Sequence, residues 1–135
     1  MESAIQRLST AVRERGLTVA VAESLTSGLL ASEVGKGESA GDWFSGGVVA
    51  YRMPVKTHLL GVPEDVDPCS AECATALAVG VRALLGADIA VSTTGVGADG
   101  SGAEHLQLDG GPDRVLDETV DRALLLLVGL AERAD

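Results

Sequence analysis

Leu17-Thr18-Val19-Ala20-Val21-Ala22-Glu23-Ser24-Leu25-Thr26-Ser27-Gly28 is the stretch whose reading decides the fold. Its first six residues form a short, almost wholly apolar run, the pattern of a strand covered on both faces in a parallel sheet. The small polar residues from Glu23 to Gly28 then read as a strand-to-helix turn, and the helix that follows fades near Gly35. Upstream, Ile5, Leu8 and Val12 share one face of a first helix, and Gly16 supplies its C-cap. Downstream, Gly35 to Gly41 reads as a polar loop and Ser45 to Tyr51 as a second strand entered through the glycine pair Gly46-Gly47. Pro54 begins a short helical segment carrying Lys56, which Gly61-Val62-Pro63 stops.

The second half repeats the alternation. Ser70 is the expected N-cap of a long Ala-rich helix running to Gly86, and Asp88 to Thr94 reads as a third strand. A glycine-rich loop follows from Gly95 to Gly100, then a candidate short strand at Leu106 to Leu108. The last helix starts near Pro112, with a core stripe of Leu116, Val120, Ala123, Leu124 and Leu127. Such alternation predicts an α/β fold, a three-layer α/β/α sandwich with a small, largely parallel sheet.

Composition bounds the function. At about 150 residues per domain, 135 residues make one domain spanning 1–135. Apolar residues are 46% of the chain and mean hydropathy is +0.25, which excludes intrinsic disorder. No apolar run approaches the roughly 20 residues that span a bilayer, and Met1-Glu2-Ser3 lacks a signal-peptide layout, so a soluble, cytoplasmic protein is expected. The net charge of −10 and the 2% aromatic content argue against nucleic-acid binding, which needs a basic footprint and stacking platforms. Cys69 and Cys73 are expected to be packing thiols, neither a disulfide nor a zinc site. His58 and His105 lack metal-ligand spacing, so no metal is expected.

In open α/β sheets ligands sit beyond the C-terminal ends of the strands. Three segments fall on that rim. The first carries Glu23, Ser24, Thr26 and Ser27, where a serine can be held exposed beside free backbone N–H groups as a nucleophile; the alternative is that Ser24, Thr26 and Ser27 simply cap the helix. The second, Tyr51 to Lys56, offers a base, since a lysine in a partly buried cleft gives up its proton more readily; the alternative is a solvated lysine. Lys36 and Lys56 are the only lysines. The third, Thr94 to Gly100, is similar to an anion-binding nest of backbone amides, but it is neither a P-loop nor a dinucleotide fingerprint. Arg114 is either an anion ligand or a surface arginine pairing with Asp113 or Asp117, and Arg82 and Arg122 read as surface or subunit-contact residues.

Taken in order, these segments resemble one family, the C-terminal domain of competence/damage-inducible protein CinA and its stand-alone relatives, the nicotinamide-nucleotide amidohydrolases. That family reads E-S-C-T-G-G after a short strand, then G-G-V-V-x-Y followed by four residues and a lysine, then L-G-V, A-D-I-A and T-G-I-A-G-P. Here the matches are Glu23-Ser24-Leu25-Thr26-Ser27-Gly28, Gly46-Gly47-Val48-Val49-Ala50-Tyr51, Lys56, Leu60-Gly61-Val62, Ala87-Asp88-Ile89-Ala90 and Thr94-Gly95-Val96-Gly97. Gly111-Pro112-Asp113-Arg114 is similar to the family's G-D-R segment.

The resemblance implies deamidation of nicotinamide mononucleotide to nicotinic acid mononucleotide and ammonia, a step in NAD metabolism that needs no metal or cofactor. It implies Ser24 as nucleophile, activated by Lys56 and Tyr51. Glu23, Thr26, Ser27, Gly28, Gly46, Gly47, Thr94, Gly95, Gly97 and Arg114 would bind the substrate or supply oxyanion donors. The chain departs from the pattern at Leu25, at Ser27 and at Ala98-Asp99, and only Ser101 to Glu104 separate Gly100 from His105 where the family has a further strand. One family strand is therefore expected to be missing. The alternative function is a diverged, weak or inactive relative that binds a nucleotide or serves as an oligomeric partner. A sheet with an exposed edge predicts a homodimer or larger assembly.

Overall fold

The computed structural model describes residues 2–94, 97–100 and 112–134. The elements run α1 (Ala4–Arg15), β1 (Val19–Glu23), α2 (Leu29–Val34), α3 (Ala40–Trp43), β2 (Phe44–Val49), α4 (Met53–Leu60), α5 (Ala71–Leu85), β3 (Ile89–Thr94), β4 (Gly97–Gly100) and α6 (Pro112–Arg133). β1 lies between β2 and β3 and is parallel to both, while β4 runs antiparallel on the outer side of β3. The expected α/β fold with a small, largely parallel sheet is what the chain forms.

Burial on both faces explains why β1 is apolar from Val19 to Ala22. Val19 and Val21 face α1, α2 and α6, where they pack with Leu8, Val12, Leu30, Val34, Leu124 and Leu127. Ala20 and Ala22 face the other way, into a core with Leu60, Val62, Cys73, Leu77 and Val81 from the α4–α5 side. A strand with side chains of period two thus serves two cores, making the middle of three layers. The α6 stripe read from the sequence supplies Val120, Ala123, Leu124 and Leu127 to the first core.

Local signals set the helix ends. Ser3 and Gln6 form a reciprocal capping box at the start of α1, and Gly16 closes it in the left-handed conformation. Ser70 caps α5 through the Cys73 N–H, as expected, and Gly86 ends that helix left-handed.

Two segments differ from the sequence reading. The polar loop ending at Gly41 includes the start of α3, because the Glu38 carbonyl accepts both the Ser9 hydroxyl and the Trp43 indole N–H at 2.9 Å and buries the Trp43 ring. Gly97–Gly100, expected as loop, forms β4 by pairing its backbone with Val91 to Thr94. Its glycines carry no apolar alternation, so pairing alone makes it a strand. The candidate strand at Leu106 to Leu108 and the missing family strand lie outside the described residues.

The strand order β2-β1-β3 contains a reversal. The chain leaves β1 toward β2 on one side and leaves β3 toward β4 on the other. Ligands of doubly wound sheets bind at such a switch point, beyond the carboxyl ends of the two strands concerned. Here those ends carry Ser24 and Thr94.

Candidate active site

A cleft of about 250 Å³ opens at this point, lined by Ser24, Leu25, Tyr51, Lys56, Pro68, Cys69 and Thr94. Four separate segments contribute: the turn after β1, the run from β2 into α4, the loop before α5, and the end of β3. The first two rim segments picked out in the sequence therefore meet here, and the third contributes Thr94.

Ser24 follows β1 directly and is held by its backbone N–H, which donates to the Thr93 carbonyl at 2.9 Å. Its side chain is only 6% exposed, yet among the described residues its hydroxyl makes no hydrogen bond. The N–H of Leu25, the next residue, likewise meets no acceptor there. Lys56 comes from the second turn of α4 and is 3% exposed, with no ion pair or hydrogen bond to its ammonium among the described residues. At that exposure Lys56 is not a solvated side chain, and the solvated-lysine alternative fails. Tyr51, 62% exposed, stands at the rim.

The thiol of Cys73 is pushed up from its ordinary value of 9.0, chiefly by burial, against an opposing pull from the Lys56 charge. The Thr94 hydroxyl donates to the Pro68 carbonyl at 2.7 Å, pinning the loop before α5 to the end of β3. Cys73 is the packing thiol expected of it. Cys69 is not: it is exposed in the cleft wall, a lining residue that the sequence reading missed because nothing in its neighbourhood signals a ligand.

Other candidates sit elsewhere. Glu23 and Thr26, expected to meet substrate, lie below the turn and not in the cleft wall. The Glu23 carboxylate is 1% exposed and accepts the Thr26 hydroxyl at 2.5 Å and the N–H groups of Leu30 and Ala31 at 2.8 and 3.0 Å. It is this carboxylate, not the hydroxyls of Ser24, Thr26 or Ser27, that satisfies the first turn of α2; the residue at the N-cap is Gly28, which has no side chain to cap with. Ser27 is exposed in the left-handed region at φ 47° and Gly28 at φ 104°, so the turn needs two consecutive residues in a conformation that favours glycine.

Gly46 and Gly47, also expected at the substrate, lie within β2, opposite Ala20 and Val21 and back from the strand's carboxyl end. A Cβ on Gly47 would come within 2.7 Å of a Val21 methyl, so its role is close packing of β2 on β1 beneath α2. Gly97 opens β4 opposite Thr94. Gly95 and the Arg114 side chain lie outside the described residues. Among the described residues no three His, Cys, Asp or Glu side chains gather as a metal site, and no helix is long and apolar enough to cross a membrane.

A doubly wound α/β domain defines the class of protein, and its switch point carries a serine hydroxyl and a lysine side chain that form no hydrogen bond or ion pair among the described residues. A sequence model of the CinA C-terminal domain matches residues 1–108, and the chain belongs to that family. It is 48% identical over 99 residues to a protein of Bacillus cereus (strain AH187) described as competence-damage inducible, a match covering 70% of this chain and 24% of that protein. A counterpart in Bacillus velezensis is 45% identical over 98 residues, with the same coverage. The chain thus spans about a quarter of the length of the curated relatives it matches.

Among solved structures, a CinA superfamily protein from Klebsiella pneumoniae superposes with a TM-score of 0.84 at 21% identity, covering 97% of each chain. A competence or damage-inducible protein from Enterobacter asburiae gives 0.86 at 20% identity, covering 97% of this chain and 99% of that one. At such identities these matches establish the fold.

Proposed function

We propose that the protein is an amidohydrolase that removes the carboxamide nitrogen of nicotinamide mononucleotide, releasing ammonia and nicotinic acid mononucleotide. The observation that carries this reading is that Ser24 and Lys56, from different elements, line one cleft, each buried and neither side chain in a hydrogen bond or ion pair among the described residues. An amide needs an activated nucleophile, donors for the tetrahedral oxyanion and a proton for the departing ammonia. The Ser24 hydroxyl attacks the carboxamide carbon while Lys56, acting as the free amine, takes its proton and becomes the ammonium. The Leu25 N–H is the oxyanion donor, in the position after the nucleophile where hydrolases of strand–turn–helix type place one. Lys56 returns the proton to the leaving nitrogen, with Tyr51 at the rim to relay it or orient the pyridine ring. Water then releases the acyl group by the same route.

Ammonia release from nicotinamide mononucleotide tests the assignment. Ser24→Ala and Lys56→Ala are each expected to lower the rate by about 100-fold or more. Equal rates in all three proteins would overturn the roles, and an inert wild type would overturn the substrate. Leu25 and Ser27, where the family pattern has cysteine and glycine, favour a second reading, a relative that binds the nucleotide without turning it over. Thermal stabilisation by the nucleotide without ammonia release would establish it. Assembly as a homodimer or larger is part of the proposal, supported by β2 lying at an open edge of the sheet with Val49 exposed.

A further inference from the structure

Glu23, Thr26 and Thr93 form a buried polar chain that the proposed chemistry does not use. Glu23 is 1% exposed and the two threonines are fully buried. The Thr26 hydroxyl gives its only proton to Glu23, so across the 2.7 Å contact with the Thr93 hydroxyl it is Thr93 that donates. The chain therefore runs from the end of β3, through the turn, to the end of β1, and the Leu30 and Ala31 N–H groups extend it into α2. Each end lies one residue from a cleft-lining side chain: Ser24 follows Glu23, and Thr94 follows Thr93. The Ser24 N–H bond to the Thr93 carbonyl closes a ring around the turn.

Packing alone does not require this arrangement. A buried carboxylate is tolerated only when its acceptor sites are filled, and an apolar residue at position 23 would bury itself at lower cost. What the carboxylate supplies is direction. It holds α2, the turn and two strand ends in one register, across a turn in which Ser27 and Gly28 adopt left-handed conformations.

We propose that Glu23, Thr26 and Thr93 are positioning residues that hold the Ser24 hydroxyl in the cleft, acting through the turn rather than on substrate. This rests on the reading of Ser24 as nucleophile. A displacement near 1 Å costs about 100-fold in a positioned reaction, so loosening the turn should act on kcat and leave KM largely alone.

The test uses Thr26→Val, which keeps the shape and removes the hydroxyl, Thr93→Val, which leaves the Thr26–Glu23 bond in place, and Thr26→Ser, which restores the hydroxyl. Three quantities are read: hydrogen exchange over residues 24–31 relative to α5, the labelling rate of Ser24 by a fluorophosphonate, and kcat and KM for nicotinamide mononucleotide. In folded Thr26→Val, exchange over 24–31 is expected to rise and labelling and kcat to fall by about 10-fold or more, with KM within about two-fold. Thr93→Val should shift the same quantities less, and Thr26→Ser should recover most of the loss. If Thr26→Val does not fold, Thr93→Val decides alone. Wild-type exchange in the folded valine variants, or raised exchange with wild-type labelling and kcat, overturns the positioning role while the functional reading stands. A wild type that neither turns over nor labels, with raised exchange in Thr26→Val, overturns the functional reading and leaves the clamp on the turn in place.

Discussion

Replacing Gly80 with alanine tests whether α4 and α5 are packed as closely as the site requires. A Cβ on Gly80 would lie 2.0 Å from the Leu60 carbonyl oxygen, 2.8 Å from its carbon and 3.0 Å from its Cα. Ordinary contact begins near 3.4 Å, so the end of α4 must retreat by about 1.4 Å. The obstacle is backbone and cannot rotate away. Helix propensity favours alanine by about 1 kcal/mol, but overpacking of this kind costs about 1–3 kcal/mol and sometimes more. A net loss of about 1–2 kcal/mol is expected, seen as a fall of about 5 °C in Tm.

The displacement reaches the cleft through the C-cap of α4, where the Gly61 and Val62 N–H groups bond the Thr57 and Lys56 carbonyls at 3.1 and 3.2 Å. Ammonia release should therefore fall by more than the stability loss explains, by about 100-fold for a shift near 1 Å. Gly41→Ala is the control. It lies in α3 with nothing within 4 Å of its Cβ, and should be neutral or stabilising by up to about 1 kcal/mol. A Gly80→Ala protein with a Tm equal to or above wild type would refute the close packing and the reasoning built on it.

Four further outcomes are expected. Ser27→Gly removes a left-handed serine and should stabilise by up to about 1 kcal/mol, read as a rise in Tm, the relief outweighing the 3.2 Å hydroxyl bond to the Ser24 carbonyl. Cys73 keeps its proton above its ordinary 9.0 when folded, so at higher pH the unfolded chain binds fewer protons and stability falls as pH rises past 9.0. A Tm-against-pH slope that is unchanged in Cys73→Ala would contradict this, and a thiol reagent at pH 8 should label Cys69 well before Cys73. Light scattering at micromolar concentration should return a mass above that of one chain, and a monomer would contradict the proposed assembly.

Much of the fold was legible because its signals are local. The apolar run of β1, the Ala-rich α5 between Ser70 and Gly86, and the stripe of α6 are patterns in neighbouring residues. Ser24 and Lys56 were legible as candidates because a hydroxyl after a strand and a scarce lysine stand out in the chain itself. β4 was not legible, since glycines carry no periodicity and only pairing with β3 makes them a strand. Nor were the places of Gly46 and Gly47, because a glycine that permits two strands to pack closely, as Gly47 does, or that takes a positive φ within a strand, as Gly46 does at 129°, looks the same in one dimension as a glycine that faces a ligand.

By itself, then, the order of residues determined the main helix–strand alternation, the two-sided burial of the central strand and the candidates Ser24 and Lys56. Only the tertiary structure decided that Ser24, Lys56 and Thr94 share a cleft and that Glu23 turns inward to clamp α2 rather than outward to substrate. The reason is that exposure and partnership depend on groups brought together across the chain. Thr93 reaches Thr26 from 67 residues away, and no pattern within either segment carries the other's position.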